Sequence, residues 1–270
     1  MYQNDKMTFG GHLEVLRHML FRILSVVCGI AVVVFCMKDF TWEILLAPSE
    51  WDFCTYRWIE SIAAKIGITD FHFTYFSVDL ITTDLSSQFM LHITTAMYLG
   101  LLGASPFVLY ELFRFVSPAL YESEKKYSVQ VAVIIYLLFV AGVLMTYFIL
   151  FPISFRFLGT YSVAEKVHST ITLDSYIDTF TTLTLVMGIV FQLPIISYIL
   201  AKMGVINADM LSKYRKHSFI IIMLLAAIIT PPDLMTLILV SIPLYLLYEV
   251  SIGVIRHINP KFRNKMRKST

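Results

Sequence analysis

Between residues 85 and 110, and again between 128 and 151, the chain carries no Asp, Glu, Lys or Arg. Crossing a bilayer's hydrocarbon core takes about 20 consecutive apolar residues. No water reaches the backbone there, so such runs are tolerated as helices whose N–H and C=O groups bond within the segment. The same test marks 18–37, interrupted by Arg22 near its start, then 179–201, the shorter 217–229, and 234–255 with Glu249 inside it. The expected fold is an all-α integral membrane protein with six transmembrane helices in three hairpins, and both termini on one side. Six spans consume most of the 270 residues and the halves share no repeat, so the chain reads as a single membrane domain, 1–270. The first span does not read as a cleavable signal peptide. It is too long, and Lys38 and Asp39 close it where a small-residue cleavage site would stand.

Composition excludes the other classes. Apolar residues make up 57% and charged residues 15%, with a mean hydropathy of +0.73. A soluble domain is nearer half apolar and a quarter charged. A net charge of +2 gives no overall basic field to attract nucleic acid. Cys28, Cys36 and Cys54 have no metal-ligand spacing, and an odd number closes no disulfide framework.

The charges that remain are sorted by side. The N-terminal segment, the 111–127 loop, the 202–217 loop and the tail hold 16 of the 21 Lys and Arg. The positive-inside rule places these segments, and both termini, in the cytoplasm. The basic tail after Arg256 reads as a topology anchor beside anionic lipid. Of the 19 carboxylates, 12 lie in or beside the outer loops, eight of them between Asp39 and Asp84. Within that long loop, 49–66 reads as amphipathic helices on the membrane surface, while 71–76 alternates less clearly and reads as extended. Together they form a cap over the outer end of the bundle.

The last two spans are short. Residues 217–229 rise roughly 20 Å and 234–248, up to Glu249, roughly 22 Å. The hydrocarbon core is about 30 Å thick. The turn Thr230-Pro231-Pro232-Asp233 is pinned by its prolines and cannot slide outward to lengthen either helix. Local thinning of the bilayer, or a hollow on the protein, is expected.

Polar groups at membrane depth are few. Gln192 sits midway through the fourth span, and Pro194 frees a carbonyl about one turn earlier, at Val190. The amide either bonds within its own bundle or meets a partner helix. Glu249 reads as one half of an ion pair with Arg256 or a neighbouring basic residue. His92 reads as a satisfied interior histidine, since no second ligand lies at metal spacing. No nucleophile–base, metal or phosphate-loop motif is present, so neither an enzyme nor a cofactor is expected.

Two cytoplasmic stretches place carboxylates among basic residues at the interface. They are His12-Leu13-Glu14-Val15-Leu16-Arg17 and the run from Tyr110-Glu111 through Phe115, Pro118, Leu120, Tyr121, Glu122 and Glu124 to Lys126. Here the chain resembles the TatC family, the multispanning receptors of the twin-arginine protein translocase. The first stretch is similar to the family's His-Leu-x-Glu-Leu-Arg. The second matches its Phe-x-x-Pro-x-Leu-Tyr-x-x-Glu at Phe115, Pro118, Leu120, Tyr121 and Glu124. Ala47-Pro48, Phe151-Pro152, Phe191-Gln192-Leu193-Pro194, Thr230-Pro231-Pro232-Asp233, Ile242-Pro243 and Tyr248-Glu249 follow in family order.

The resemblance implies six spans, both termini inside, a concave glove-like bundle with short helices 5 and 6, and residence in the bacterial cytoplasmic membrane. It implies binding of paired-arginine signal peptides on folded cargo and assembly with TatA/TatB-type single-span partners in the bilayer. It also implies self-association within the complex and transport driven by the proton-motive force. The family's signal site falls on Glu124, with Glu14, Leu16, Arg17, Phe115, Pro118 and Tyr121 shaping the surface. An arginine fork suits a carboxylate there. Gln192 and Pro194 fall at the family's partner-helix position, and Pro48, Asp233 and Glu249 at structural ones. Where the family usually has Glu, this chain has Val15. Glu14 stands one place earlier, a rotation of roughly 100° on a helix. The runner-up is a secondary transporter of a small solute, which would show internal repeats and broken helices.

Overall fold

The computed structural model describes residues 9–68, 75–76, 78–116, 128–162, 164 and 170–258. The chain is mostly helical. Among the described residues, four helical runs are long and apolar enough to cross a membrane: 13–36, 131–160, 173–202 and 234–256. A fifth is added if α4 (Ser87–Gly103) and α5 (Ser105–Val116), bent by 58° at the break, count as one span. The bend corrects the unbroken span expected over 85–110. Pro106, in the first turn of α5, has no N–H for the carbonyl four residues earlier, and its ring crowds that turn.

Other boundaries also shift. α1 runs Phe9–Cys36, so the stretch around Glu14 is already helical. α6 (Ser128–Met145) passes through a π turn at Thr146–Leu150 into α7 (Phe151–Thr160). The fourth expected span divides into α8 (Leu173–Val190) and α9 (Leu193–Lys202). Pro194 therefore occupies the first turn of a new helix, where a missing N–H costs little, and is not a mid-helix proline. α11 (Arg215–Ile229) is short, at 15 residues or roughly 22 Å. α12 (Leu234–Ile258) is not: its 25 residues rise roughly 37 Å, because the helix continues past Glu249.

The chain divides into two compact units, one from Met1–Trp42 and Ser86–Tyr136, the other from Glu43–Leu85 and Leu137–Thr270. In the first, α1 packs closely along α4. Val27 and Ala31 on α1, and Leu91, Thr95, Ala96 and Gly100 on α4, are buried. A Cβ at Gly100 would stand 2.8 Å from the Ala31 Cβ and 2.9 Å from the Val27 carbonyl oxygen. Small residues let the backbones approach where no hydrophobic effect drives helices together. His92 stacks on Phe35 with ring centroids 4.2 Å apart.

In the second unit, prolines create carbonyls that other elements satisfy. α2 (Lys38–Leu46) ends in a 3-10 turn at Ala47–Ser49 containing buried Pro48. Pro48 cannot donate to the carbonyl of Ile44 four residues back. The Tyr147 hydroxyl donates to that carbonyl at 2.8 Å, and the Tyr176 hydroxyl donates to Leu45 at 2.8 Å. Pro152 likewise leaves Phe148, whose carbonyl accepts from the Thr55 hydroxyl. The next residue, Tyr56, donates to the Pro152 carbonyl at 2.9 Å. Both residues belong to α3 (Cys54–Lys65), which confirms a helix within 49–66, while 71–74 lies outside the described residues. Burial pushes the Tyr56 phenol up from its ordinary value, with the Arg156 guanidinium opposing.

Two short strands, β1 (Leu80–Ile81) and β2 (Ile171–Thr172), pair in parallel and were not expected. A Cβ at Gly142 would lie 2.7 Å from the Met187 carbonyl oxygen, so the end of α6 approaches α8 backbone to side. α12 buries Val240, Leu244, Leu247, Ser251 and Ile255 at three- and four-residue spacing. Its opposite face exposes Met235, Ile238, Ile242, Leu246 and Val250, as a lipid-facing helix does.

Candidate functional site

The amphipathic start of α1 carries the first group of expected residues. Glu14 is 75% exposed and stands 4.0 Å from His18 one turn on. Arg17 is exposed, its guanidinium 5.6 Å from the centre of the Phe21 ring. Leu16 and Arg17 line a shallow apolar groove of about 330 Å³ with Leu13, Leu20, Phe21 and Leu24. A larger cleft of about 680 Å³ opens beside it, lined by Val15, His18, Phe21, Arg22, Ser25, Val26 and Phe107. Val15, not Glu14, faces that cleft. The one-residue offset thus puts the apolar side chain in the cleft and the carboxylate outside both hollows. Phe115, at the end of α5, is half-buried. Pro118, Tyr121 and Glu124 lie outside the described residues.

Arg22, on the wall of the larger cleft, pairs with a carboxylate that the sequence placed at the interface without a role. Glu111 on α5 has a side chain only 5% exposed, and the Arg22 Nη2 donates to its Oε2 at 3.1 Å. A buried carboxylate is costly unless a cation and hydrogen bonds compensate it. Arg22 provides that compensation from a half-exposed position on the cleft wall. The signal was available: Arg22 interrupts one apolar run, and Glu111 is the first charge after another. Opposite lone charges flanking antiparallel spans are natural partners.

The remaining expected positions lie in the second unit. Gln192, 8% exposed, sits at the break between α8 and α9, and its Nε2 donates to the Gly188 carbonyl at 3.4 Å. Pro48 holds the turn whose neighbouring carbonyls the two tyrosines satisfy. Asp233 caps α12: its Oδ1 accepts the Thr236 N–H at 2.7 Å. Glu249 pairs not with Arg256 but with Arg215 at the start of α11. The Arg215 Nη2 donates to Oε2 at 2.9 Å, and Nε lies 2.8 Å from Oε1. The Tyr245 hydroxyl donates to the same Oε1 at 3.2 Å. Arg256 instead donates to the Ser212 hydroxyl at 3.0 Å. Helix spacing explains the difference. Arg256 is seven residues beyond Glu249, two turns along the same helix, whereas the fork of Arg215 meets the carboxylate across the helix pair.

Comparison with known proteins gives a consistent result. The family model described as Sec-independent protein translocase protein (TatC) matches residues 11–243. The TatC protein of Blattabacterium sp. subsp. Periplaneta americana is 32% identical over 262 residues, covering 96% of this chain and 98% of that one. That of Carboxydothermus hydrogenoformans is 31% identical over 268 residues, covering 98% and 100%. A crystal structure of the twin-arginine translocase receptor TatC superposes with a TM-score of 0.71 at 31% identity, covering 91% of this chain and 98% of that one. A second, in the detergent DDM, gives 0.73 at 31% identity, covering 90% and 99%.

Proposed function

Because the chain belongs to the TatC family of Sec-independent protein translocase proteins, we propose that it is the signal-receptor subunit of a twin-arginine translocase. In this reading it is a multi-pass protein of the bacterial cytoplasmic membrane, one membrane domain of six spans with both termini in the cytoplasm. α11 supplies the remaining span, short and fifth in chain order. It acts by recruitment without a chemical step, and the proton-motive force drives transport of folded cargo. Membership of a translocase family replaces the small-solute transporter reading.

The observation that carries the proposal is the near full-length likeness, at 31% identity, to a crystallised twin-arginine translocase receptor. The residues add physical support. Exposed Arg17 and the apolar grooves along α1 suit an extended segment with an apolar portion. Glu124 is the principal acceptor for the paired arginines, with Leu16, Phe115, Pro118 and Tyr121 shaping the surface. Glu14 contributes less, because it points away from both grooves. Gln192 and Pro194, at a break in a span, offer an amide to a single-span TatA- or TatB-type helix.

The test is crosslinking. A twin-arginine signal carrying a photoreactive side chain should crosslink to the wild-type protein and lose most of that crosslink with Glu124→Ala. Unchanged crosslinking and export would refute the assignment of Glu124.

A further inference from the structure

Glu111 is the one charged residue, among those described, that is almost completely buried. Its ion-pair partner Arg22 is half-exposed and forms part of the wall of the 680 Å³ cleft, together with Val15 and Phe21 of the same helix and Phe107 of α5. One side chain thus borders the open cleft and pairs with a closed carboxylate. It engages Glu111 through one hydrogen bond, Nη2 to Oε2 at 3.1 Å, where a guanidinium fork is capable of two.

From this arrangement we infer that Arg22 is a resident stand-in for an arginine of the signal. A peptide guanidinium entering the cleft displaces Arg22 from Glu111 and takes its place. The inference rests on the reading of the chain as a paired-arginine receptor and deepens it, by naming a second acceptor beyond Glu124. The exchange is feasible because it replaces like with like. One guanidinium leaves the carboxylate as another arrives, so Glu111 is never left as an uncompensated buried charge. The displaced Arg22 already has half its surface in the open. The apolar walls, Val15, Phe21, Val26 and Phe107, accommodate side chains flanking the incoming arginine.

The same geometry selects arginine over lysine. An ammonium is a compact, strongly hydrated point charge without the planar fork, so it competes poorly with a guanidinium already seated. Arg22 thereby acts as a threshold: only a cation of its own kind exchanges with it.

The test uses the full-length protein in detergent and a fluorescent synthetic signal peptide with Arg-Arg ahead of an apolar segment, beside its Lys-Lys counterpart. Arg22→Lys keeps the charge that Glu111 needs but gives up the fork. It should bind the Arg-Arg peptide more tightly, by up to about tenfold if the native pair is open roughly a tenth of the time. Glu111→Gln should weaken Arg-Arg binding and narrow the gap to Lys-Lys. A purely structural pair would leave Arg22→Lys no tighter, and that result overturns the inference, as would full Arg-Arg preference in Glu111→Gln. Glu124→Ala runs in the same assay. Lost Arg-Arg binding there with no gain in Arg22→Lys retires the exchange alone. Retained binding in Glu124→Ala with a gain in Arg22→Lys retires the Glu124 assignment and supports the exchange.

Discussion

The two tyrosine hydroxyls at the end of α2 offer a test with its own internal control. Tyr147 and Tyr176 make the same bond, hydroxyl to backbone carbonyl at 2.8 Å, to adjacent residues Ile44 and Leu45. They differ in burial. Tyr176 is 1% exposed and its bond is interior, whereas the Tyr147 bond is exposed. Tyr→Phe removes the donor, and at Tyr176 also an interaction with the Ser49 side chain. At Tyr176 the orphaned carbonyl has no replacement, which costs about 1–3 kcal/mol. At Tyr147 solvent or headgroups substitute, and the net loss is about 0.5–1 kcal/mol. A loss of 1 kcal/mol lowers the midpoint of a chain this size by about 2–4 °C. Tyr176→Phe should therefore lose about 2–12 °C and Tyr147→Phe about 1–4 °C. The readout is the fraction surviving as a monodisperse peak after stepwise heating in detergent. Pro48→Ala adds a third arm. It returns an N–H four residues after Ile44, so Tyr147→Phe should cost less in that background while Tyr176→Phe costs the same. Equal losses from the two phenylalanines, or a Pro48→Ala background that spares neither or both, would refute the reasoning.

Three further outcomes follow from the same structure. The Arg215–Glu249 pair has one hydrogen bond and a second close contact and is 41% and 32% exposed, between a surface pair and a buried one, so a double-alanine cycle should give a coupling of about 1–2 kcal/mol. Additive losses would deny the pairing. Tyr56 holds its proton because burial disfavours the phenolate, so its folded value lies above the unfolded value of about 10. The stability it contributes is whole below about pH 10 and is lost as pH rises through the folded value. Tyr56→Phe should flatten the alkaline fall in thermal midpoint, and a fall identical to wild type would count against it. Gln192→Leu should weaken co-purification of single-span partners by about threefold to tenfold, the worth of one interhelical hydrogen bond in a membrane. Undiminished recovery of those partners would remove Gln192 from that role.

Much of the fold was legible because lipid leaves few options. Uncharged runs near 20 residues announced the helices, and the asymmetry of Lys and Arg suggested which loops share a side. Breaks were harder to place. Pro106 bends one expected span, and Pro194 begins a helix rather than interrupting one. A proline's position within a helix depends on where the preceding helix ends, and that is set by packing. The same holds for α12, whose charge at Glu249 suggested an interface but whose helix runs on to Ile258.

The candidate site divides the same way. Residue order alone fixed that Glu14 and Val15 face different directions, because one residue on a helix turns the side chain by about 100°. It did not fix which of them meets a cleft, since a cleft exists only once α1 lies against its neighbours. The pairings Arg22 with Glu111 and Arg215 with Glu249 span 89 and 34 residues. Composition required some partner for each charge near the bilayer, and sequence proposed Arg256 or a neighbouring basic residue for Glu249. Only the packed helices chose the partner, because an ion pair needs its atoms within about 4 Å. The sequence by itself determined that this chain lives in a membrane and where its charges are scarce. The tertiary structure decided which scarce charge is buried, which cation guards it, and which donors take up the carbonyls that the prolines leave open.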